Sequence, residues 1–435
     1  NRAAASELRL APLPPSDLAT ILHAFFGRQA SALPPALQSQ IAERSGGNPF
    51  YLEEIVRGLI AEGVLVRGAE GWACAAERAA LEVPPTLEGL LLSRIDHVAP
   101  EARSVLQQAA VLGPVFDAGL LDLIAGRERA RDALAVLRQA HVLEPLSQST
   151  WRFTHALVHE VAYHNLLQRT RSELHTRTGR ELEARHGPHP ERIEDLVALG
   201  HHFSLSEDRA RGARYLMAAG DWARDMYAND DALRHYRRAL ATLRECASCD
   251  SEVLEVNERL GDLFALTGER EKALEHYALV RDAAHAAGDA ACEARAGRKL
   301  GAVHWEGGDR EGGLACFRAA LALLDARSDH VELAHLYQEM GRLAFRSGDN
   351  RGAVEWAERA LEHAERLAAD ERGGSREAAG AVSQALNTLG VAFARLNRAE
   401  EAVRHIERSV RIAADQGLLQ AACRGYANLG VLYAT

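Results

Sequence analysis

Leu260-Gly-Asp-Leu-Phe-Ala-Leu-Thr-Gly-Glu-Arg-Glu-Lys-Ala-Leu-Glu-His-Tyr277 sets the fold, because its landmarks recur through the second half of the chain. A Leu-Gly or Met-Gly pair stands at Leu260-Gly261, Leu300-Gly301, Met340-Gly341, Leu389-Gly390 and Leu429-Gly430, with glycine spacings of 40, 40, 49 and 40. Seven residues after the first four glycines sits a turn former, Gly268, Gly308, Gly348 or Asn397, suited to the left-handed residue that ends a helix. Twelve residues after each comes a small residue: Ala273, Gly313, Ala353 or Ala402. Four further on stands Tyr277, Phe317 or Ile406, with Ala357 the exception. A weaker copy runs from Gly220 through Ala232, Tyr236 and Ala239. A period of this size predicts one helix pair per repeat, stacked on its neighbours. The small residues let the two helices approach, and the larger residue fills the gap to the next pair.

The pattern resembles the tetratricopeptide repeat, with helices longer than that family's usual unit, over about residues 206–435. The longer spacing before Gly390 holds Asp370-Glu-Arg-Gly-Gly-Ser-Arg376, which reads as an extended inter-repeat loop. In the resembled family the first helix of each pair lines a groove, at positions six and three before the glycine and just beside it. The resemblance therefore points to Arg295, Arg298 and Lys299 in one repeat, and to His335, Gln338 and Arg342 in the next. The preceding repeat offers Glu255, Glu258 and Asp262. A basic patch beside an acidic one suits a charged protein or peptide partner. The same residues also read as a solvated charged face.

At 435 residues the chain has room for two to four domains. Hydrophobic residues at 47% and charged residues at 26% describe a globular protein, not a disordered one. A net charge of −10 argues against a nucleic-acid partner. No apolar run approaches the ~20 residues of a membrane-spanning helix. No signal peptide opens the chain, Asn1 is not Met, and a helical pattern runs through Gly430 to Thr435, so a fragment of a longer protein is expected. The two lysines, Lys272 and Lys299, do not follow glycine, so the phosphate-cradling Gly-Lys-Ser/Thr loop is missing. Six cysteines are too sparse for a disulfide framework and fit a reducing cytoplasm. Cys246 and Cys249 form a lone CxxC without the second pair of a zinc ribbon, and read as a loop between helices.

The first half is not a repeat. Leu8 to Leu13 reads as a strand, followed by helices at about 16–28 and 34–44. Ser45-Gly-Gly-Asn-Pro-Phe-Tyr-Leu-Glu-Glu54 then places Asn48 as N-cap and Pro49 as first helical residue. Gly46 and Gly47 leave bare backbone before that helix, which permits close approach of a ligand. Pro84 to Asp96 and a stretch from Pro100 to Gly113 read as helices, with shorter ones at 117–125 and 127–140. Leu143–Leu146 and Trp151–Phe153 read as strands about a turn. Three helices followed by a hairpin is the order of a winged helix. His155 and His159 stand four apart in Phe153-Thr-His-Ala-Leu-Val-His-Glu-Val-Ala-Tyr163, but Ala156 occupies the glutamate position that a His-Glu-x-x-His zinc protease needs. His186, His189, His201 and His202 sit in polar or helical contexts and read as structural. No metal site is expected.

Taken in order, Gly46–Glu54, Leu91–Asp96, Leu106–Gly113 and Phe153–Tyr163, which Arg171-Ser-Glu-Leu-His175 follows, resemble the STAND class of signalling ATPases. These are bacterial switches with an AAA-like nucleotide domain, a helical lid, a winged helix and tetratricopeptide repeats. They are linked to class III cyclases, Ser/Thr kinases or LuxR-type regulators, and the wording here is most similar to the cyclase-linked group. The resemblance implies a mainly all-α fold: residues 1–82 as the end of the nucleotide domain and the lid, 83–170 as the winged helix, 171–205 as a helical connector, and 206–435 as a truncated repeat solenoid. It implies that Gly47, Asn48 and Pro49 pack on the adenine of ATP or ADP, and that His155 senses the ADP β-phosphate. The aspartate that follows this histidine in relatives is Ala156 here. It also implies that the phosphate-binding motifs lie before residue 1 in the parent, and that nucleotide and output domains are intramolecular partners. Two rival readings are a DNA-binding regulator, using Arg127, Arg129, Arg131 and Arg138, and a non-catalytic repeat scaffold. Glu128, Asp132 and the net charge oppose DNA.

Overall fold

The computed structural model describes residues 11–26, 34–61, 63–68, 71–74, 86–246, 249–324, 330–369 and 376–434. Leu8–Leu10 of the Leu8–Leu13 stretch, the 82/83 boundary and Asp370–Ser375 lie outside them. The chain divides into two compact units, Asn1–Asp208 and Arg209–Thr435. Among the described residues it is nearly all helix.

The first unit begins with α1 (Pro15–Phe26), α2 (Pro35–Ser45) and α3 (Pro49–Ala61), followed by a two-stranded hairpin, β1 (Leu65–Gly68) and β2 (Gly71–Cys74). Leu18, Leu22, Ile41, Leu52, Ile55 and Leu59 form one core, spaced at helical intervals on the three helices. α4 (Leu87–Asp96) is capped by the Thr86 hydroxyl, which accepts from Gly89 N at 3.1 Å. This helix serves two cores, Leu90 packing into the first and Leu91 and Ile95 into the second. The second core gathers α5 (Pro100–Leu112), β3 (Val115–Asp117), α6 (Ala118–Ala125), α7 (Arg127–Gln139), β4 (Leu143–Pro145), β5 (Thr150–Phe153) and α8 (Ala156–His164). The strands form one antiparallel sheet in the order β3-β5-β4, with Leu143 opposite Phe153 and Glu144 opposite Arg152. Glu144 and Arg152 pair across that register, Nε to Oε1 at 2.6 Å. α9 (Gln168–His186) and α10 (Ile193–Ser204) end the unit. β1, β2 and β3 are additions to the sequence reading.

Among the described residues the second unit is five helix pairs and one further helix: α11 (Arg209–Asp225) with α12 (Asn229–Arg244), α13 (Asp250–Thr267) with α14 (Arg270–Ala287), α15 (Ala290–Glu306) with α16 (Arg310–Leu323), α17 (Val331–Arg346) with α18 (Asn350–Ala369), α19 (Arg376–Arg395) with α20 (Ala399–Asp415), then α21 (Leu419–Ala434). Each turn inside a pair pivots on a left-handed residue, Gly268 (φ 82°), Gly308 (93°), Gly348 (85°) and Asn397 (60°), at the four expected places. The weak first copy does the same with Tyr227 (φ 59°).

The recurrent glycine lies within the first helix and receives the large residue of the second. A methyl built on Gly220 would lie 2.4 Å from the Tyr236 ring, on Gly261 2.6 Å from the Tyr277 ring, and on Gly390 2.2 Å from Ile406. Ala232, Ala273, Ala353 and Ala402 are fully buried and bring the helices together. Where the large residue is replaced by Ala357, the nearest atom to a methyl on Gly341 is 3.5 Å away. The exception in the pattern thus removes the steric demand on its own glycine.

Cys246 and Cys249 lie in the α12–α13 connection, the expected loop between helices, and they are disulfide-bonded to each other, a pairing the sequence reading did not include. The connection holds their Cα atoms 5.9 Å apart, within the range a disulfide spans. Cys292, Cys316 and Cys423 are free. No helix among the described residues is long and apolar enough to cross a membrane.

Candidate functional site

Two places gather the residues singled out by sequence. The first is the entry to α3. Asn48 caps it, its Oδ1 accepting from Phe50 N at 3.0 Å and Tyr51 N at 3.3 Å, and Pro49 is the first helical residue. Gly46 ends α2 in left-handed conformation. Gly47, also left-handed, is buried against the chain itself: a methyl there would lie 2.6 Å from Pro12 Cβ and 2.8 Å from the Leu13 carbonyl oxygen, while Leu13 N donates to Gly47 O at 2.8 Å. The bare backbone at Gly47 therefore admits the Pro12–Leu13 segment, which corrects the expectation that it stands open to a ligand. Asn48 and Pro49 are exposed.

His155 meets this entry through Phe50, a residue the sequence reading did not single out. Their rings are tilted at 41° with centroids 3.9 Å apart. His155 is the N-cap of α8, in extended backbone and exposed, so it does not share a helix face with His159. His159 turns inward, its Nε2 2.9 Å from Ala110 O, and burial holds its imidazole below the usual range. The i, i+4 pair is thereby split between two environments.

A cavity of about 630 Å³ opens nearby between α3, α4 and α7, lined by Glu54, Arg57, Arg94, His97 and His141 among others. Nearly buried Glu54 is held by Arg94 Nη1, 2.6 and 2.5 Å from its two oxygens, and Arg94 also donates to the Ala140 carbonyl. Thr154, beside His155, donates from its hydroxyl to His141 O at 2.9 Å, linking the cavity rim to the histidine. The arginines of α7 (Arg127, Arg129, Arg131 and Arg138) are exposed, interspersed with exposed Glu128 and Asp132.

The second place is the first-helix face of the repeats. Arg295 pairs with Glu258 at 2.9 Å, Lys299 bridges Glu258 at 2.7 Å and Asp262 at 2.6 Å, Arg298 pairs with Glu332, and Arg342 pairs with Glu339 at 2.8 Å. His335 faces Glu377 at 3.8 Å. Burial pushes the Glu258 carboxyl up, but Lys299 and Arg295 outweigh it and hold the group below the usual carboxylate range. The expected basic patch beside a separate acidic one is thus an interleaved ion-pair network: helix stacking sets Glu258 and Asp262 of α13 against Arg295 and Lys299 of α15, and Arg298 of α15 against Glu332 of α17, while Arg342 pairs within its own helix. Asp221 and Asp262 extend it. Each accepts from a tyrosine hydroxyl, Tyr236 at 2.7 Å and Tyr277 at 2.6 Å, and each also takes a base from the following repeat, Arg259 or Lys299.

Residues 292–366, covering α15 to α18, match the tetratricopeptide repeat family. No curated protein sequence matches the chain significantly. Among solved structures the chain is similar to a signal transduction ATPase with numerous domains and a tetratricopeptide repeat sensor from Pyrococcus horikoshii, at 11% identity and a TM-score of 0.37. That likeness covers 97% of this chain and 63% of the other, so the chain spans less than two thirds of that protein. It is also similar to the apo quorum sensor NprR from B. thuringiensis (13% identity, TM-score 0.45, covering 80% and 83%) and to BtubC from P. vanneervenii (20% identity, TM-score 0.38, covering 58% and 93%).

Proposed function

We propose that the chain is the regulatory and sensor portion of a STAND-class, ATP-dependent signalling switch acting in the cytoplasm. In this reading a protein or peptide partner docks on the repeat face that carries Arg295, Arg298, Lys299, His335 and Arg342. The helical lid and a winged helix pass that event to a nucleotide domain and an output domain outside these residues. The carrying observation is the meeting of Phe50 and His155, 3.9 Å apart at the entry to α3 although distant in sequence. The helix–strand–helix–helix–strand–strand order of α5 to β5 supports the winged-helix part.

The residues fit half of a nucleotide site. An exposed imidazole beside an aromatic ring and a capped helix entry suits a base edge and one phosphate oxygen. The lysine and glycine-rich loop that would hold the phosphates are missing from the sequence. Asn48 and Pro49 would border the base and His155 would donate to a phosphate, while Gly47 shapes the bend that presents them.

Calorimetry with ATP and ADP tests this directly. The chain itself should show no micromolar binding, because a helix entry and one histidine replace neither the backbone N–H cradle nor its lysine. The parent protein with its phosphate-binding domain should retain ADP, and His155→Ala should loosen it. One charge-assisted hydrogen bond contributes about 1.5–3 kcal/mol, against the roughly 5.5 kcal/mol that carries a switch from 1:99 to 99:1, so activation would be partial. Micromolar affinity in this chain, or unchanged ADP retention in the parent variant, would overturn the reading.

A further inference from the structure

α9 and α10 pack against each other at the end of the first unit, and three histidines converge between them. His175 of α9 is fully buried, His202 of α10 is 5% exposed, and His201 is exposed beside them. One ring nitrogen from each lies within 4.8 Å of the other two. His175 Nδ1 and His202 Nδ1 are 3.0 Å apart, and the ring centroids are separated by 5.2 to 5.7 Å. The hydroxyl of Tyr163, at the end of α8, lies 2.9 Å from His175 Nε2.

A neutral imidazole carries one N–H, so an Nδ1-to-Nδ1 contact is a hydrogen bond only if one ring donates and the other accepts. Burial, followed by the neighbouring histidines, pushes His202 down to about 2, and burial, His201 and Arg171 push His175 down to about 3. Both inner rings are therefore neutral at pH 7, the form that ligates metals. Nitrogens bound at 2.0–2.1 Å to one tetrahedral Zn²⁺ stand about 3.3 Å from each other. The His175–His202 pair already has nearly that spacing, and the third nitrogen lies within 4.8 Å of both.

We propose that His175, His201 and His202 form a three-histidine site for a divalent ion of the zinc class, with its remaining position open to solvent on the His201 side. Imidazole donors favour Zn²⁺, Cu²⁺ or Ni²⁺ over the oxygen-seeking Mg²⁺ and Ca²⁺. Metal on His175 Nδ1 places that ring's hydrogen on Nε2, which then donates to the Tyr163 oxygen. This is the outer hydrogen bond that fixes the tautomer and orientation of a ligating histidine. The opposing charge is Arg171, whose guanidinium lies 5.1 Å from the Tyr163 ring centre. With three neutral ligands and a nearby cation, the site binds more weakly than one built from thiolates. A bound ion would pin α9 to α10.

The test uses the full chain, without a polyhistidine tag, stripped with a chelator and titrated with Zn²⁺ by calorimetry and with Co²⁺ by visible absorption. One equivalent should bind, with the ligand-field bands of four-coordinate Co²⁺ and a rise in unfolding temperature. His201→Ala removes an exposed ring and should weaken binding about 100-fold, while Tyr163→Phe should weaken it about tenfold and leave the stoichiometry at one. His175→Gln, checked for retained helicity by circular dichroism, should lose the Co²⁺ bands. No saturable binding by the unaltered chain would overturn the proposal. So would wild-type affinity in His201→Ala, or wild-type Co²⁺ bands in a folded His175→Gln.

Discussion

Alanine at two equivalent glycines should act with opposite signs. Gly261 and Gly341 hold the same place in the first helices of two repeats with one repeat between them, and each lacks a side chain in mid-helix, where alanine is favoured by about 0.8–1 kcal/mol. At Gly341 the nearest atoms to a new methyl are 3.5 Å away, an ordinary contact, so the helix gain stands alone. At Gly261 the methyl would enter the Tyr277 ring, 2.6 Å from Cε1 and 2.8 Å from Cδ1. That ring cannot swing aside freely: it is 3% exposed and its hydroxyl donates to Asp262 at 2.6 Å. Overpacking a tight contact costs about 1–3 kcal/mol, and losing the hydroxyl bond adds about 1. After the helix gain, Gly261→Ala should destabilise by about 1–3 kcal/mol, while Gly341→Ala should stabilise by up to about 1 kcal/mol. For a unit of this size each kcal/mol moves the midpoint by about 2–4 °C. The assay is thermal unfolding of the full chain followed by circular dichroism, with both variants on the same scale. Adding Tyr277→Ala to Gly261→Ala places alanine at both positions, as the Gly341→Ala variant does beside Ala357, and the pair should show a favourable coupling of about 1–3 kcal/mol. A Gly261→Ala protein as stable as the Gly341→Ala one, or zero coupling, would refute the packing argument.

Three further outcomes follow from the same structure. Arg298→Ala strips the partner from Glu332, whose side chain is only 6% exposed, so denaturant unfolding should report a loss of about 3–5 kcal/mol, and Arg298→Glu at least as much. Asn48→Ala removes the cap of α3 and should cost about 1 kcal/mol, whereas Asn48→Gly should cost only a few tenths, read by the same unfolding curves. Glu258 is held below its ordinary value, so its contribution is present above the unfolded value near ~4.3 and is lost as pH falls through the lower folded one. Glu258→Gln should therefore flatten the acid limb of stability below about pH 4, and an unchanged limb would place that slope elsewhere.

The repeats were legible because their demands are local. A glycine, a left-handed turn residue seven positions on and a small residue twelve positions on each answer to a backbone or contact within one helix pair, so they recur at fixed spacing. Even the Ala357 exception had a local reason. The Asn48 cap and Pro49 start were readable for the same cause, since capping is decided within four residues.

Pairing between distant elements left no such trace. The sequence shows Arg295, Arg298 and Lys299 on one helix, but only stacking of α13, α15 and α17 sets Glu258, Asp262 and Glu332 against them and turns a basic patch into a network. Gly47 was visible as a bare residue, while its occupant, the Pro12–Leu13 backbone, was settled by how the chain folds back. The contact of Phe50 with His155 and the convergence of His175 with His201 and His202 likewise have no fixed spacing. Sequence by itself determined the helices and their period, because those rest on hydrogen bonds and clashes a few residues apart. Which side chains face each other was decided only in the tertiary structure, where burial of apolar faces sets the register and leaves the polar groups to find partners within it.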